Sequence, residues 1–220
     1  MTTFPGSPRL LKGGIVLIDP DTKGVQQVIN LQYNPETLSR SFQIQSVTAE
    51  GGDRSDALRL TGPPVETISL EAEIDATDQL EFPDQNSNVA RLGLYPHLAA
   101  LETIIYPTSQ QLIQNNRLAQ QGVLEILPMQ APLTLFVWSK NRIMPMRLTE
   151  FSITEEAFDP ALNPIRARVT LGMRVLSIDD LGFDHRGSSL FMSYLQQKEN
   201  LAKIHKGGLF SALGIRGNQL

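Results

Sequence analysis

Two distant segments of this chain alternate apolar and polar residues with a period of two, and no other sequence feature restricts its fold as strongly. In Val65–Asp75, Ile68, Leu70, Ala72 and Ile74 share one phase, while Thr67, Ser69, Glu71 and Glu73 share the other. In Ile165–Leu176, Ala167, Val169, Leu171, Met173 and Val175 alternate with Arg166, Arg168, Thr170 and Arg174. Successive side chains point to opposite faces in a strand, so each segment has one face to bury and one to leave polar. The chain must build a sheet around these two strands.

The other segments fall into place around them. Gly14–Asp19 is an apolar run stopped by Pro20-Asp21, and Val25–Tyr33 resumes after Gly24, which predicts a hairpin. Asn34-Pro35 breaks that strand, because proline lacks a donor and biases the residue before it away from helix. Thr37–Val47 sets Leu38, Phe42 and Ile44 against Ser39, Ser41, Gln43 and Gln45. The stretch Glu50–Gly62 is polar and glycine-punctuated, either an exposed loop or an extended hairpin arm. Leu133–Ser139 is unbroken apolar sequence, which fits a strand buried on both faces, with a turn at Lys140-Asn141-Arg142. In Met144–Glu155 the apolar phase slips between Leu148 and Phe151, which predicts a bulge.

Helical spacing appears twice. Leu94, Leu98, Leu101, Ile104 and Ile105 mark a helix over Leu94–Ile105, and Phe191, Tyr194, Leu195, Leu201 and Ala202 mark one over Ser188–His205. Asp78–Asn88 reads as a loop, and Ser109–Gln121 as a short solvated helix or a loop. The order is strands, helix, strands, helix, a β-rich α+β domain.

Composition narrows the function classes. At 220 residues the chain holds one large domain, or one domain with an appendage. The absence of cysteine excludes a disulfide scaffold, a thiolate zinc site, an iron–sulfur cluster and a cysteine nucleophile. With 19 Lys and Arg against 23 Asp and Glu, the net charge of −4 argues against specificity for nucleic acid. Only 19% of residues are charged, and neutral polar residues suit large protein–protein contacts because they are cheaper to desolvate. No apolar run reaches the roughly 20 residues of a membrane span, and MTTFPGSPRLLKGG lacks an apolar signal core, so synthesis and assembly in the cytoplasm are expected.

Catalytic patterns are missing. His97, His185 and His205 lie in separate segments, and Asp184-His185-Arg186 with Ser188 names triad residue types without triad geometry. No enzyme activity, cofactor or metal is expected. The informative feature is the polar phase of the two strands. Glu71 and Glu73 on one, with Arg166, Arg168 and Arg174 on the other, can pair across a sheet, as a solvated outer face or as the lining of a wide channel.

Taken in order, LQYNPETLSRSFQ (Leu31–Gln43), LTGPPVETISLEAEIDATD (Leu60–Asp78), YPHLAALETIIYP (Tyr95–Pro107) and the block from Leu133 to Ser177 resemble the tube-like baseplate proteins of contractile injection systems. The last block carries the family's apolar strand ending in tryptophan (Trp138), an aromatic before a turn (Phe158), and Pro164-Ile165-Arg166-Ala167 opening the final strand. The chain departs from the family in having Trp138-Ser139 where Trp-Gly is common. The sequence after Ser177 is too short for the complete LysM module that many members carry.

The resemblance implies a phage-tail-tube-like β-barrel or sandwich with a flanking helix and a C-terminal helical appendage. It implies a flexible arm over residues 1–13, a tube-like domain over 14–178 and an appendage and tail over 179–220. It further implies a homo-hexameric ring that joins a spike hub to the inner tube, a tube initiator meeting other baseplate or sheath proteins. The particle would be released or membrane-anchored, with no membrane span in this chain. In that reading Glu71, Glu73, Arg166, Arg168 and Arg174 face a lumen or a neighbouring subunit. Asp53, Arg54, Asp56 and Arg59 lie on an arm reaching another ring, and Phe191, Tyr194, Leu195 and Leu201 dock a partner. A second reading of the same alternating strands and lid helix is a soluble, closed β-barrel holding a small apolar ligand.

Overall fold

The computed structural model describes residues 11–19, 22–46, 59–122, 131–205, 207–208 and 212. Seven strands form one antiparallel sheet: β1 (Gly14–Ile18), β2 (Val25–Asn30), β3 (Leu38–Gln43), β4 (Val65–Asp75), β5 (Leu133–Ser139), β6 (Arg142–Phe158) and β7 (Pro164–Val175). Their order is β2-β1-β5-β6-β7-β4-β3. Five helices complete the description: α1 (Thr77–Leu80), α2 (Ser87–Leu92), α3 (Tyr95–Glu102), α4 (Ser109–Gln120) and α5 (Arg186–Ile204). The molecule is α+β and β-rich.

The long strand β6 organises the sheet. Its first residues pair with β5, from Ser139↔Arg142 to Thr134↔Met146, and the rest pairs with β7, from Met146↔Val175 to Phe158↔Pro164. The register shifts between Leu148 and Glu150, the bulge that the apolar phase slip predicts. Opposite it sits Gly172, where a Cβ would lie 2.8 Å from the Glu150 Cβ, so the close approach of the two backbones requires glycine. Side chains from both portions of the sheet enter one core: Ile15, Phe136 and Met144 from one, Ile68, Leu70, Val169, Leu171 and Met173 from the other. The alternating phases read from the sequence are the observed core faces of β4 and β7.

The sheet does not close. Among the described residues β2 and β3 are its edges, and no strand ladder joins them, so the closed barrel expected for a single chain is corrected to an open sheet. The reason lies in β3, which pairs only with Val65–Leu70 and leaves Glu71–Asp75 without a second strand neighbour. Part of that gap is spanned by one side chain. Gln32 Nε2 donates to the Asp75 carbonyl at 2.6 Å, and the Asp75 N–H donates to Gln32 Oε1 at 2.9 Å. The carboxamide thus satisfies both backbone groups that a neighbouring strand would otherwise meet. Replacing Gln32 with alanine leaves that N–H and C=O unpaired at the seam and is expected to cost about 1–3 kcal/mol, measured by urea unfolding. A loss under about 0.5 kcal/mol would show that water replaces the amide there without penalty.

The expected helix over Leu94–Ile105 is α3, and Leu94, Leu98 and Leu101 plug the core beside β4 and β7. The loop expected over Asp78–Asn88 instead contains α1 and the start of α2. Asp75 accepts from the Thr77 N–H, and Asn86 Nδ2 donates to the carbonyls of Gln79 and Phe82, so side-chain-to-backbone hydrogen bonds order a segment without apolar periodicity. Gly93, at φ +55°, stops α2 where a Cβ would lie 2.4 Å from the Pro164 carbonyl oxygen. The Gln/Asn-rich segment is the helix α4, started by a capping box between Thr108 and Gln111 and burying none of its residues.

Candidate functional site

The polar face of the sheet is assembled row by row from the strand registers. Thr67 stands opposite Arg174, Ser69 opposite Gly172, Glu71 opposite Thr170, Glu73 opposite Arg168 and Asp75 opposite Arg166. On the far side of β7, Ser152, Thr154 and Glu156 of β6 continue the rows, and Ser39 and Ser41 of β3 extend them past β4. Its middle is rich in hydroxyls, with Ser41 Oγ and Thr67 Oγ1 in hydrogen-bond contact at 2.6 Å.

Its charges are paired, with three arginines set among five carboxylates. Arg168 Nε lies 3.1 Å from Glu71 Oε1, and its Nη2 lies 3.9 Å from Glu73 and 3.8 Å from Glu156. The structure thus brings Glu71, Glu73 and Arg168 together as expected and adds Glu156. Arg166 turns instead to Asp75, 2.9 Å away, and Arg174 to Asp180, 2.7 Å away. Burial opposes ionisation of Asp75, but hydrogen bonds from Thr77 and Arg166 outweigh it and hold this carboxyl below its ordinary value. Arg166 is pushed up by the hydrogen bond and charge of Asp75.

A second cluster went unread in the sequence. Glu66, in β4, is 3% exposed and accepts from Arg40 Nε at 2.8 Å, Arg40 Nη2 at 2.6 Å, Tyr194 Oη at 3.0 Å and Lys198 Nζ at 2.8 Å. Arg40 and Lys198 also lie over the ring of Phe42, and Lys198 over that of Tyr194. One buried carboxylate therefore ties β3, β4 and α5 together. The signal was present, because Glu66 and Arg40 occupy the inward phases of their strands, two residues before Ile68 and two after Leu38. Burial and the charge of Glu66 push the Tyr194 phenol up, which keeps it a donor.

The remaining expectations divide. Phe191 and Tyr194 are buried in the core of their own chain, a correction to their role as partner contacts: α5 uses them to dock on its own sheet. Leu195 is half-buried and Leu201 exposed. Asp53, Arg54 and Asp56 lie outside the described residues. Arg59 is exposed at the base of the segment, where Ser46 bridges Leu60 and the Thr61 N–H donates to the Gln45 carbonyl, continuing the β3–β4 hairpin outward. His185 caps α5, accepting from the Gly187 N–H, and the Ser188 hydroxyl donates to the Leu181 and Gly182 carbonyls, so the triad-like segment is a helix start. Among the described residues no three His, Cys, Asp or Glu side chains form a metal site, and no helix is long and apolar enough to cross a membrane.

No family model matches the sequence, and no curated protein matches it. Among solved structures, the chain is similar to one in the tail of an empty gene transfer agent particle with C6 symmetry, at 13% identity and a TM-score of 0.28. It is also similar to a chain in the virion of the native gene transfer agent particle, at 11% identity and a TM-score of 0.26. Each similarity covers 74% of this chain and 90% of the other.

Proposed function

We propose that this chain is a structural ring component of a contractile injection system, placed in the baseplate where it joins the spike hub to the inner tube. The observation that carries the reading is the sheet itself. One face is committed to the core, while the other is a continuous polar surface whose charges are paired in place, and the sheet ends in two edge strands without partners among the described residues. A polar face of this kind suits the wall of a water-filled passage, and unpaired edges are where neighbouring copies extend a sheet. Its partners in this role are further copies of itself, the hub, the tube and adjoining baseplate or sheath proteins.

Sedimentation and negative-stain imaging of the purified chain, alone and with tube and spike proteins, test this. Closed rings are expected, and a chain that stays monomeric in every mixture overturns the reading. Glu71→Lys with Glu73→Lys sharpens the test. It sets lysines beside Arg168, yet half-exposed ion pairs contribute only about 0–1 kcal/mol each, so folding should survive while ring assembly fails. Normal assembly of this variant would remove the face from the interface and the lumen.

A second reading draws on a cleft of about 330 Å³ at the open seam, walled by Leu31, Ala72, Ile74, Leu101, Val169 and Leu171. Such a cleft suits a small apolar ligand. Saturable binding of an apolar dye, lost in Ala72→Phe, would favour it, and unchanged binding in that variant would remove it.

A further inference from the structure

The first residue of β6 lines a pocket of about 510 Å³ whose charges do not balance. Arg40, Arg142 and Lys198 border it, together with Trp138, Asn141 and Leu201. Of these cations Glu66 pairs with Arg40 and Lys198, so three cations stand against one carboxylate, an excess of two positive charges. Arg142 has no ion pair among the described residues. Leu201, 51% exposed, and Trp138 supply apolar wall beside these cations.

The last residues of β6 carry the complement. Glu155, Glu156 and Phe158 lead into a turn that ends at Asn163, and Phe158 and Leu162 are 51% and 72% exposed. The turn is rigidly built: Asp159 Oδ1 accepts from the N–H groups of Ala161 and Asn163, both at 2.8 Å, and Asn163 Nδ2 donates to Asp159 Oδ2 at 2.7 Å. Ala157 and Leu162 are held at φ +51° and +64°, a conformation that non-glycine residues adopt at a cost. That geometry presents an aromatic and an aliphatic side chain near the exposed carboxylate of Glu155, while Glu156, on the other face of β6, stays with Arg168.

We propose that the β6–β7 tip of one copy seats in the basic pocket of the next. Phe158 and Leu162 pack against Trp138 and Leu201, and Glu155 faces Arg142, the cation of the pocket that has no ion pair among the described residues. The inference rests on the ring reading, and it supplies what that reading requires. A closed ring of identical chains needs two different, complementary patches on each copy, and opposite ends of one strand carry them here. Opposite charge sets the orientation of such a contact, while the aromatic and aliphatic anchors give it affinity.

The cysteine-free sequence permits a direct test. Single-cysteine variants Asn141→Cys and Ala161→Cys are mixed in equal amounts and oxidised, and the same mixtures are sedimented. The mixed disulfide dimer is expected to exceed either self-dimer about tenfold, to fall to the self-dimer level when the Asn141→Cys chain also carries Arg142→Glu, and to return when its partner carries Glu155→Arg. Rescue by the second reversal excludes misfolding as the cause of the loss. Rings that form without selective cross-linking overturn this contact and leave the ring reading standing. A chain that stays monomeric and gives no selective cross-link overturns both.

Discussion

Replacing Glu66 with alanine is expected to cost about 3 kcal/mol of folding stability, read as a lowered urea midpoint with an unchanged slope. The loss does not come from the packing of a small carboxylate. It comes from Arg40 and Lys198, which keep 23% and 36% of their side chains exposed and would share the Phe42 ring with no counter-charge. That partial exposure holds the value at the low end for a broken buried pair. Glu66→Gln should cost less, because its amide oxygen can still accept from Arg40 and Tyr194, although its NH2 group then faces Lys198.

The pH dependence has a definite sign. Burial alone would raise the Glu66 pKa, but hydrogen bonds from Lys198 and Arg40, with their charges, outweigh it and hold the carboxyl below its ordinary value of 4.5. The unfolded chain therefore takes up a proton first on acidification. The stabilisation is complete above pH 4.5 and is lost as the pH falls from there through the depressed folded value. Stability of the wild type should fall more steeply over that range than stability of Glu66→Gln, and parallel curves would show that Glu66 is not held ionised by its partners.

How much of this was legible depends on the distance over which each interaction acts. The faces of β4 and β7 and the bulge in β6 follow from side-chain phase along single strands, and phase is local. The cross-strand ion pairs followed once both polar phases were read together, although Asp75 and Asp180, the partners of Arg166 and Arg174, sit at a strand end and in a turn where no phase marks them. The Glu66 cluster was half legible. A carboxylate in an inward phase announces a buried charge, but its partners come from β3 and from α5, more than a hundred residues later, and only the fold brings them together. Gln32 had no signal, since a glutamine that stands in for a strand looks like any surface glutamine. The open seam escaped for a related reason, because edge strands and interior strands share the same alternation.

Phe136→Ala should be the most damaging single truncation, at about 3–5 kcal/mol. Phe136 is fully buried at the centre of β5, paired with Ile15 on one side and Met144 on the other, and its ring stacks on Trp138 at a centroid distance of 6.0 Å. Its neighbours are anchored in strands and cannot collapse into the space, so both the lost transfer energy and the cavity contribute. The topology makes the damage uneven. Strands β6, β7 and β4 each have a partner on both sides, whereas among the described residues the only strand ladder that joins β1 and β2 to the rest is the one with β5. Loosening β5 therefore frees the β1–β2 hairpin before it frees the remainder. Native-state hydrogen exchange should show the amides of Gly14–Ile18 and Val25–Asn30 losing far more protection in Phe136→Ala than those of Val65–Asp75 or Pro164–Val175. Equal losses in both groups would mean that the sheet opens as one cooperative unit, and that the β1–β2 hairpin does not hang from β5 alone.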